Sequence, residues 1–294
     1  TVAFLIGLGY FQGDSFVVEQ LFMEDYDQEP DQLQRLLDHL TRTSYLVSYN
    51  GKSYDRSVLE NRLVLNTFMD RTEAHIRLRP HPDLLHLGRR VFGGKLPNHT
   101  MGTLEREILR FERTDDLSGE MVPQHYFQYL LTEDEAFLEP VLRHNYYDIL
   151  SLAYLAHKLL EKVVPEQLDP DPRIRFNLGK LFFNAGNVEA AALHLDAALD
   201  HLDPDLSIKA ASLLARTLRK QSASWPQLAA MWQRAATTSP ESPVPQVELS
   251  KLYEWKARNP QQALGHARQA QALAPDPKVE ERVKRLVKKL TADS

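Results

Sequence analysis

Cysteine is absent from all 294 residues. Its absence excludes disulfides, thiolate-bound zinc and thiol nucleophiles, and it fits a reducing cytoplasm, which is the expected location. A basic surplus is lacking too. With a net charge of −5, no global positive field advertises nucleic acid. Local phosphate contacts stay open, because counterion release depends on the cations at the contact. No run of about 18 apolar residues occurs, so no membrane span is expected. The apolar opening Thr1–Phe11 has no basic flank and no small-residue cleavage pattern, and Gln12-Gly13-Asp14 cuts it short, so it is not expected to be a secretory leader. There is no initiating Met, and the chain is read as a fragment. What is present is ordinary for a folded protein. Hydrophobic content of 43% beside 26% charge supports a sizeable core and, at this length, about two domains.

The first part alternates strands and helices. Residues 2–11 are expected to form a strand, Gln12-Gly13-Asp14-Ser15 a turn, and Phe16–Phe22 the partner strand. Glu29-Pro30-Asp31 opens a helix whose Leu33, Leu36, Leu37 and Leu40 recur at helical spacing. A short buried strand is expected over Tyr45–Tyr49, a helix over Arg56–Phe68, a short strand over Pro80–Leu85 and a helix over Leu87–Phe92. Further helices are expected near 101–111, 123–131 and 134–162. The sum is a mixed sheet with helices packed on it.

Composition changes near Pro165. Pro165, Pro170 and Pro172 with Asp169 and Asp171 suggest a linker over 165–172. Beyond it the chain is helical and repetitive. Leu178, Leu214 and Leu249 correspond, as do Phe182, Leu218 and Tyr253, then Ala192, Leu228 and Ala263, then Pro204, Pro240 and Pro275. These offsets lie near the ~34-residue tetratricopeptide period. Small residues (Gly179, Ala215, Ser250) fall where helices approach closely. The basic amphipathic stretch Lys278–Leu290 suits a capping helix, with a nucleic-acid contact as the alternative.

Two constellations carry chemistry. Asp55 follows Tyr49-Asn50-Gly51-Lys52-Ser53-Tyr54, at the opening of a helix. A carboxylate there is commonly a cap, but Tyr54 is expected to wedge into the core and aim it, and Asn50 to hold the loop or meet a sugar. His144 and Asp148, at i and i+4, share a helix face. Either they are a solvated pair, or, on a largely buried helix, they suit metal binding and proton abstraction from water.

These residues carry a resemblance. Tyr49–Asp55 resembles the second exonuclease motif of the DEDD superfamily, in the Tyr-Asn-Gly-x-x-Phe-Asp form of family B polymerase proofreading domains. His144-x-x-x-Asp148 resembles the third motif, Tyr-x-x-x-Asp. The surroundings are closer to the bacterial YprB-type ribonuclease-H-like domain, often followed by tetratricopeptide repeats. Thr1–Phe11, His81-Pro82-Asp83-Leu84-Leu85-His86, Gly102-Thr103-Leu104-Glu105-Arg106-Glu107 and His144–Leu152 support it. The resemblance covers about residues 1–162.

What it implies is an α/β ribonuclease-H-like mixed sheet with flanking helices (residues 1–164), followed after 165–172 by an all-α tetratricopeptide-like repeat domain (173–294). It also implies a 3′–5′ exonuclease-type site with two divalent cations, Mg²⁺ or Mn²⁺. By carry-over, Asp55 and Asp148 are metal ligands, and Asp55, His144 and Asp148 are catalytic. His144 stands where the family has a water-positioning Tyr. It is alternatively a general base, although that branch spaces His and Asp by one more residue. Asn50, Lys52 and Tyr54 are the candidate substrate contacts. The family's first motif, a strand bearing Asp-x-Glu, would precede Thr1 and is absent, so activity of this chain is expected to be impaired.

Asp83 between His81 and His86 suggests a metal cluster or, more plainly, a strand-end Asp with surface His neighbours. Lys52, Arg89, Arg90, Lys95 and His99 suit either a phosphate rim or ordinary solvated charge. Gly93-Gly94-Lys95 is no phosphate loop. Trp225, Trp232 and Trp255 suit helix packing better than base stacking. No Ser/His/Asp triad can be argued from spacing. Expected partners are nucleic acid, DNA or RNA, and a protein docked on the repeats, with no membrane. The alternative function is a non-catalytic nucleic-acid-binding or scaffold protein. A pure repeat adaptor would leave the Asn50–Asp55 and His144–Asp148 motifs idle.

Overall fold

The computed structural model describes residues 2–66, 80–114 and 116–292. The chain divides into two units, Thr1–Arg89 with Leu96–Glu161, and Arg90–Lys95 with Lys162–Ser294.

The first unit begins with an antiparallel hairpin of β1 (Leu5–Gln12) and β2 (Ser15–Phe22). Its two-residue loop starts at Gly13, whose φ of 61° is one that glycine adopts without strain. Helices α1 (Glu29–Arg42), α2 (Asp55–Leu65), α3 (Leu84–Phe92) and α4 (Met101–Leu104) follow, then a wide π turn (Glu105–Leu109), α5 (Val122–Thr132) and α6 (Leu138–Lys162).

Strand alternation gives the hairpin two working faces. Ile6 and Leu8 join Leu21 against Leu33, Leu36, Leu37 and Leu40 of α1 and Leu59 and Leu63 of α2. Gly7 and Gly9 turn the other way. A Cβ on Gly7 would run into Asn145 and Ile149 of α6, and one on Gly9 into Ile149 and Phe16. Gln20, opposite Gly7 in the register, donates through Nε2 to the Leu142 carbonyl (2.8 Å) and to Asn145 Oδ1 (3.0 Å). Missing side chains on β1 and one amide on β2 therefore set the seat of α6.

Several expectations are corrected. Residues 45–49 and 80–85 form no full strands. They meet in a short parallel pairing, with Leu46 N–H donating to Pro80 O, Ser48 N–H to Pro82 O, and Leu84 N–H to Ser48 O. Pro80 and Pro82 have no N–H, so they cannot donate to the ladder. The segment is not buried either: Tyr45 is 66% and Val47 39% exposed, while Leu46 packs on the α1 cluster. The helix expected over 101–111 is α4 plus the π turn, ended by Arg110 in the left-handed region (φ 56°). α2 stops at Leu65, and its expected last residue, Phe68, lies outside the described residues. α6 buries one face only, through Leu138, Val141, Ser151, Leu155 and Leu159.

The second unit is helical. Its helices are α7 (Pro172–Asn184), α8 (Val188–Leu199), α9 (Pro204–Lys220), α10 (Trp225–Thr238), α11 (Pro243–Trp255), α12 (Pro260–Leu273) and α13 (Pro277–Ala292). Successive helices pack on one another, which fits a repeat array. The matched positions behave alike: Leu178, Leu214 and Leu249 are buried, and so are Gly179, Ala215 and Ser250. A Cβ on Gly179 would lie 2.6 Å from Leu195 Cγ, so this residue lets α7 and α8 approach. Residues 165–172, expected to be a linker, are fastened within this unit. Asp169 is buried and pairs with Lys162, and Asp171 caps α7 by accepting from Arg173 N–H and Ile174 N–H. Trp232 is buried and Trp225 packs edge-on to Tyr253, whereas Trp255 is exposed beneath Arg285. At the far end Arg282 and Arg285 of α13 both bind the buried Glu254 of α11. Leu286 packs on Ala263, Leu264 and Ala267.

Candidate active site

The site is built on the turn that leaves Ser48. Asn50 takes a left-handed φ of 61°. The turn is pinned by Asp83, which is only 5% exposed. Its Oδ1 accepts from Asn50 N–H (2.9 Å) and Leu85 N–H (3.1 Å), and its Oδ2 from Lys52 N–H (3.1 Å). Three amides satisfy a buried charge that would otherwise be costly. His81 is buried rather than at the surface. Its Nε2 lies 2.7 Å from Ser48 Oγ, and burial, then Lys52, hold its pKa below the usual imidazole range. Tyr49 O–H donates to His99 O (2.5 Å), and burial takes its pKa up to about 12 against the opposing pull of Arg89.

Asp55 opens α2. Gly51 makes room for it, since a Cβ there would lie 2.6 Å from Ser48 Oγ and 3.0 Å from Asp55 Oδ2. Among the described residues the Asp55 carboxylate has no hydrogen-bond or ion-pair partner. It reaches solvent but sits in a concave wall. Desolvation first, and the neighbouring Asp83 second, raise its pKa above the ordinary value.

Asp148 and His144 come from α6, well inside the helix. His144 Nδ1 is 2.9 Å from Asp116 Oδ2, which leaves Nε2 beside Asp148 Oδ2 at 3.5 Å. Asp148 Oδ1 accepts from Arg113 Nη2 at 2.6 Å. Arg113 also binds Glu105 through Nε and Nη2, and Asp116 through Nη1 at 3.0 Å. Ser151 donates to Glu105 as well. Burial opposes the charge on Arg113, but Glu105 and Asp148 outweigh it and raise its pKa.

Asp55, His144 and Asp148, far apart in sequence, all line one cavity of about 690 Å³. Tyr54 lines it too. It is 60% exposed, so it does not wedge into the core as expected. Asn50 and Lys52 are not in the lining; the contacts that fix them are their backbone amides on Asp83. Arg56, a cation in the cavity wall that pairs with Glu60 at 2.9 Å, has no signal in sequence beyond its place next to Asp55. Arg113 and Asp116 were not foreseen either. Both lie in irregular backbone between the π turn and α5, where periodicity carries no information.

A two-cation centre needs several hard oxygen donors around each ion. Among the described residues no three His, Asp or Glu side chains are grouped to hold a metal ion, and one oxygen of Asp148 is engaged by Arg113. The described residues do not make such a centre by themselves. No described helix is long and apolar enough to cross a membrane.

Comparison with known proteins adds to this geometry. A family model described as RNase_H superfamily matches residues 1–160. The uncharacterized protein YprB of Bacillus subtilis (strain 168) is 32% identical over 167 residues, which is 57% of this chain. The match spans 40% of that relative's own length.

Proposed function

The chain belongs to the RNase H superfamily through residues 1–160, and on that premise we propose that its first unit hydrolyses phosphodiester bonds in nucleic acid. The proposed reaction is of the 3′–5′ exonuclease type and depends on Mg²⁺ or Mn²⁺, the kind of ion that nucleases of this superfamily usually use. The observation that carries the reading is the convergence of Asp55, His144 and Asp148 on one cavity. An acidic pocket repels a phosphodiester unless its charge is balanced; burial first, and the charge of Asp83 second, raise the pKa of Asp55. His144, steadied through Nδ1 by Asp116, turns Nε2 toward the cavity beside Asp148. That arrangement supports reading the imidazole and the carboxylate as the groups that take a proton from an attacking water. Arg56 is the proposed phosphate contact, with Tyr54 at the wall. The second unit is read as tetratricopeptide-like pairs.

The grip of Arg113 on Asp148 favours a second reading, a non-catalytic nucleic-acid-binding or scaffold protein. One assay separates them. A 5′-labelled single strand incubated with the chain and Mn²⁺ is expected to shorten stepwise from its 3′ end, and slowly, because the described residues do not complete a two-cation centre by themselves. Asp55→Asn and Asp148→Asn are each expected to slow this by about a hundredfold or more. A wild-type chain that leaves the strand intact supports the second reading.

A further inference from the structure

Charge in the helical unit differs from helix to helix. Arg234 of α10 is matched, binding Asp196 of α8 at 2.6 Å and Asp200 at 2.7 Å, and Lys251 of α11 pairs with Glu248. On α7 and α9 cations outnumber acids. α7 carries Arg173, Arg175 and Lys180 and no acid, and α9 carries Lys209, Arg216, Arg219 and Lys220 against Asp205 alone. Arg173 and Arg175 donate to backbone carbonyls, and Arg219 reaches Glu248 of α11. Lys180, Lys209, Arg216 and Lys220 are exposed, with no hydrogen-bond or ion-pair acceptor among the described residues.

These four cations fall on two helix faces. Positions 209, 216 and 220 share one face of α9, and Phe176, Lys180 and Phe183 share one face of α7. The two faces meet at Phe183, where Lys220 Nζ is 4.4 Å and Arg216 Cζ 5.0 Å from the ring centre. Lys180 Nζ lies 5.3 Å above the Phe176 ring. The rings hold the cations in place. Like charges one helical turn apart, such as Arg216 and Lys220, are mutually repulsive, and an anion laid across them relieves the repulsion.

We propose that this face of α7 and α9 binds the phosphodiester backbone of nucleic acid. The choice of polyanion rests on reading the first unit as a nuclease. Phosphate is favoured over an acidic peptide because neither helix exposes a large apolar side chain to anchor one, and Phe183 is covered by its cations. Ammonium groups on flexible stems suit a repeating anion, and contacts of this kind position a strand without reading its sequence.

The test titrates the whole chain, in EDTA, into a fluorescein-labelled oligothymidylate across a series of chloride concentrations, with anisotropy as the readout. The triple variant Lys180→Gln/Arg216→Gln/Lys220→Gln is expected to bind about tenfold or more weakly. Its salt slope should be shallower by about 2, at roughly 0.7 for each lost contact to a single strand. Lys180→Arg/Lys220→Arg, which keeps the charge, is expected to behave as wild type. If the triple variant does not fold, Lys180→Gln and Lys209→Gln decide it, each expected to lower the slope by about 0.7. Unchanged affinity and slope in the neutralised variants overturns the proposal. So does polyglutamate that competes for this face more strongly than the strand does. The two readings fail separately. A chain that binds through this face but does not cut with Mn²⁺ refutes only the nuclease reading. One that cuts while the triple variant binds unchanged refutes only this inference.

Discussion

Arg113 carries one positive charge among Glu105, Asp116 and Asp148, and it is nearly buried. Removing one member of such a set strands the others. Arg113→Met is therefore expected to destabilise the first unit by about 3–5 kcal/mol, read as a lower midpoint in urea unfolding; an unchanged midpoint would show that the cluster is solvated after all. Asp55 behaves in the opposite way. Its folded pKa lies above the ordinary value of 3.8, so the folded chain holds that proton more tightly than the unfolded one. The favourable contribution is full below that value and is lost as pH rises through the higher folded pKa. At neutral pH the charged carboxylate therefore weighs against the fold. Asp55→Asn is expected to melt higher than wild type at pH 7, with the gain disappearing in acid. Equal melting points at both pH values would show that the charge on Asp55 does not weigh against the fold. Asp55, His144 and Asp148 stood out because each lies in a short motif with its neighbours in sequence, and they line one cavity. Arg113, Asp116 and the amide-binding role of Asp83 were not, since each acts across a loop on residues distant in the chain.

Among the elements, α6 is seated by others. It carries His144 and Asp148, and its seat is the Gly7 edge of β1 together with Gln20 of β2. Gly7→Val is expected to cost about 1–3 kcal/mol by overpacking. It should also impair the cavity more than Ile6→Val does on the opposite face, as measured by urea midpoint beside strand cleavage. Equal effects on cleavage at both positions would show that the hairpin does not set the site. Helices were the part of the fold best read from sequence. The Leu33, Leu36, Leu37 and Leu40 spacing records burial on α1 within the element itself, and the 178/214/249 repeat does so for α7, α9 and α11. Segments 45–49 and 80–85 misled because pairing depends on a partner elsewhere in the chain, and here that partner contains two prolines. The hairpin was recoverable because Gly13 marks its turn and both strands are adjacent in sequence.

For the whole molecule, the two units raise different questions. The first buries modest helix faces around a hairpin and keeps an acidic cavity open. The second repeats one packing scheme and presents a cationic face on α7 and α9. Its last helix has a further consequence. Arg282 and Arg285 fasten α13 to Glu254, and Leu286 covers Ala263, Leu264 and Ala267. Polypeptide cut just before Pro277 would present those alanines and that leucine bare, and a bare edge of a stacked array invites an identical neighbour to adhere. Such a shortened form is expected to sediment faster as its concentration rises, through head-to-tail accretion that the intact form resists. A shortened form that stays monomeric would mean that α13 shields nothing adhesive.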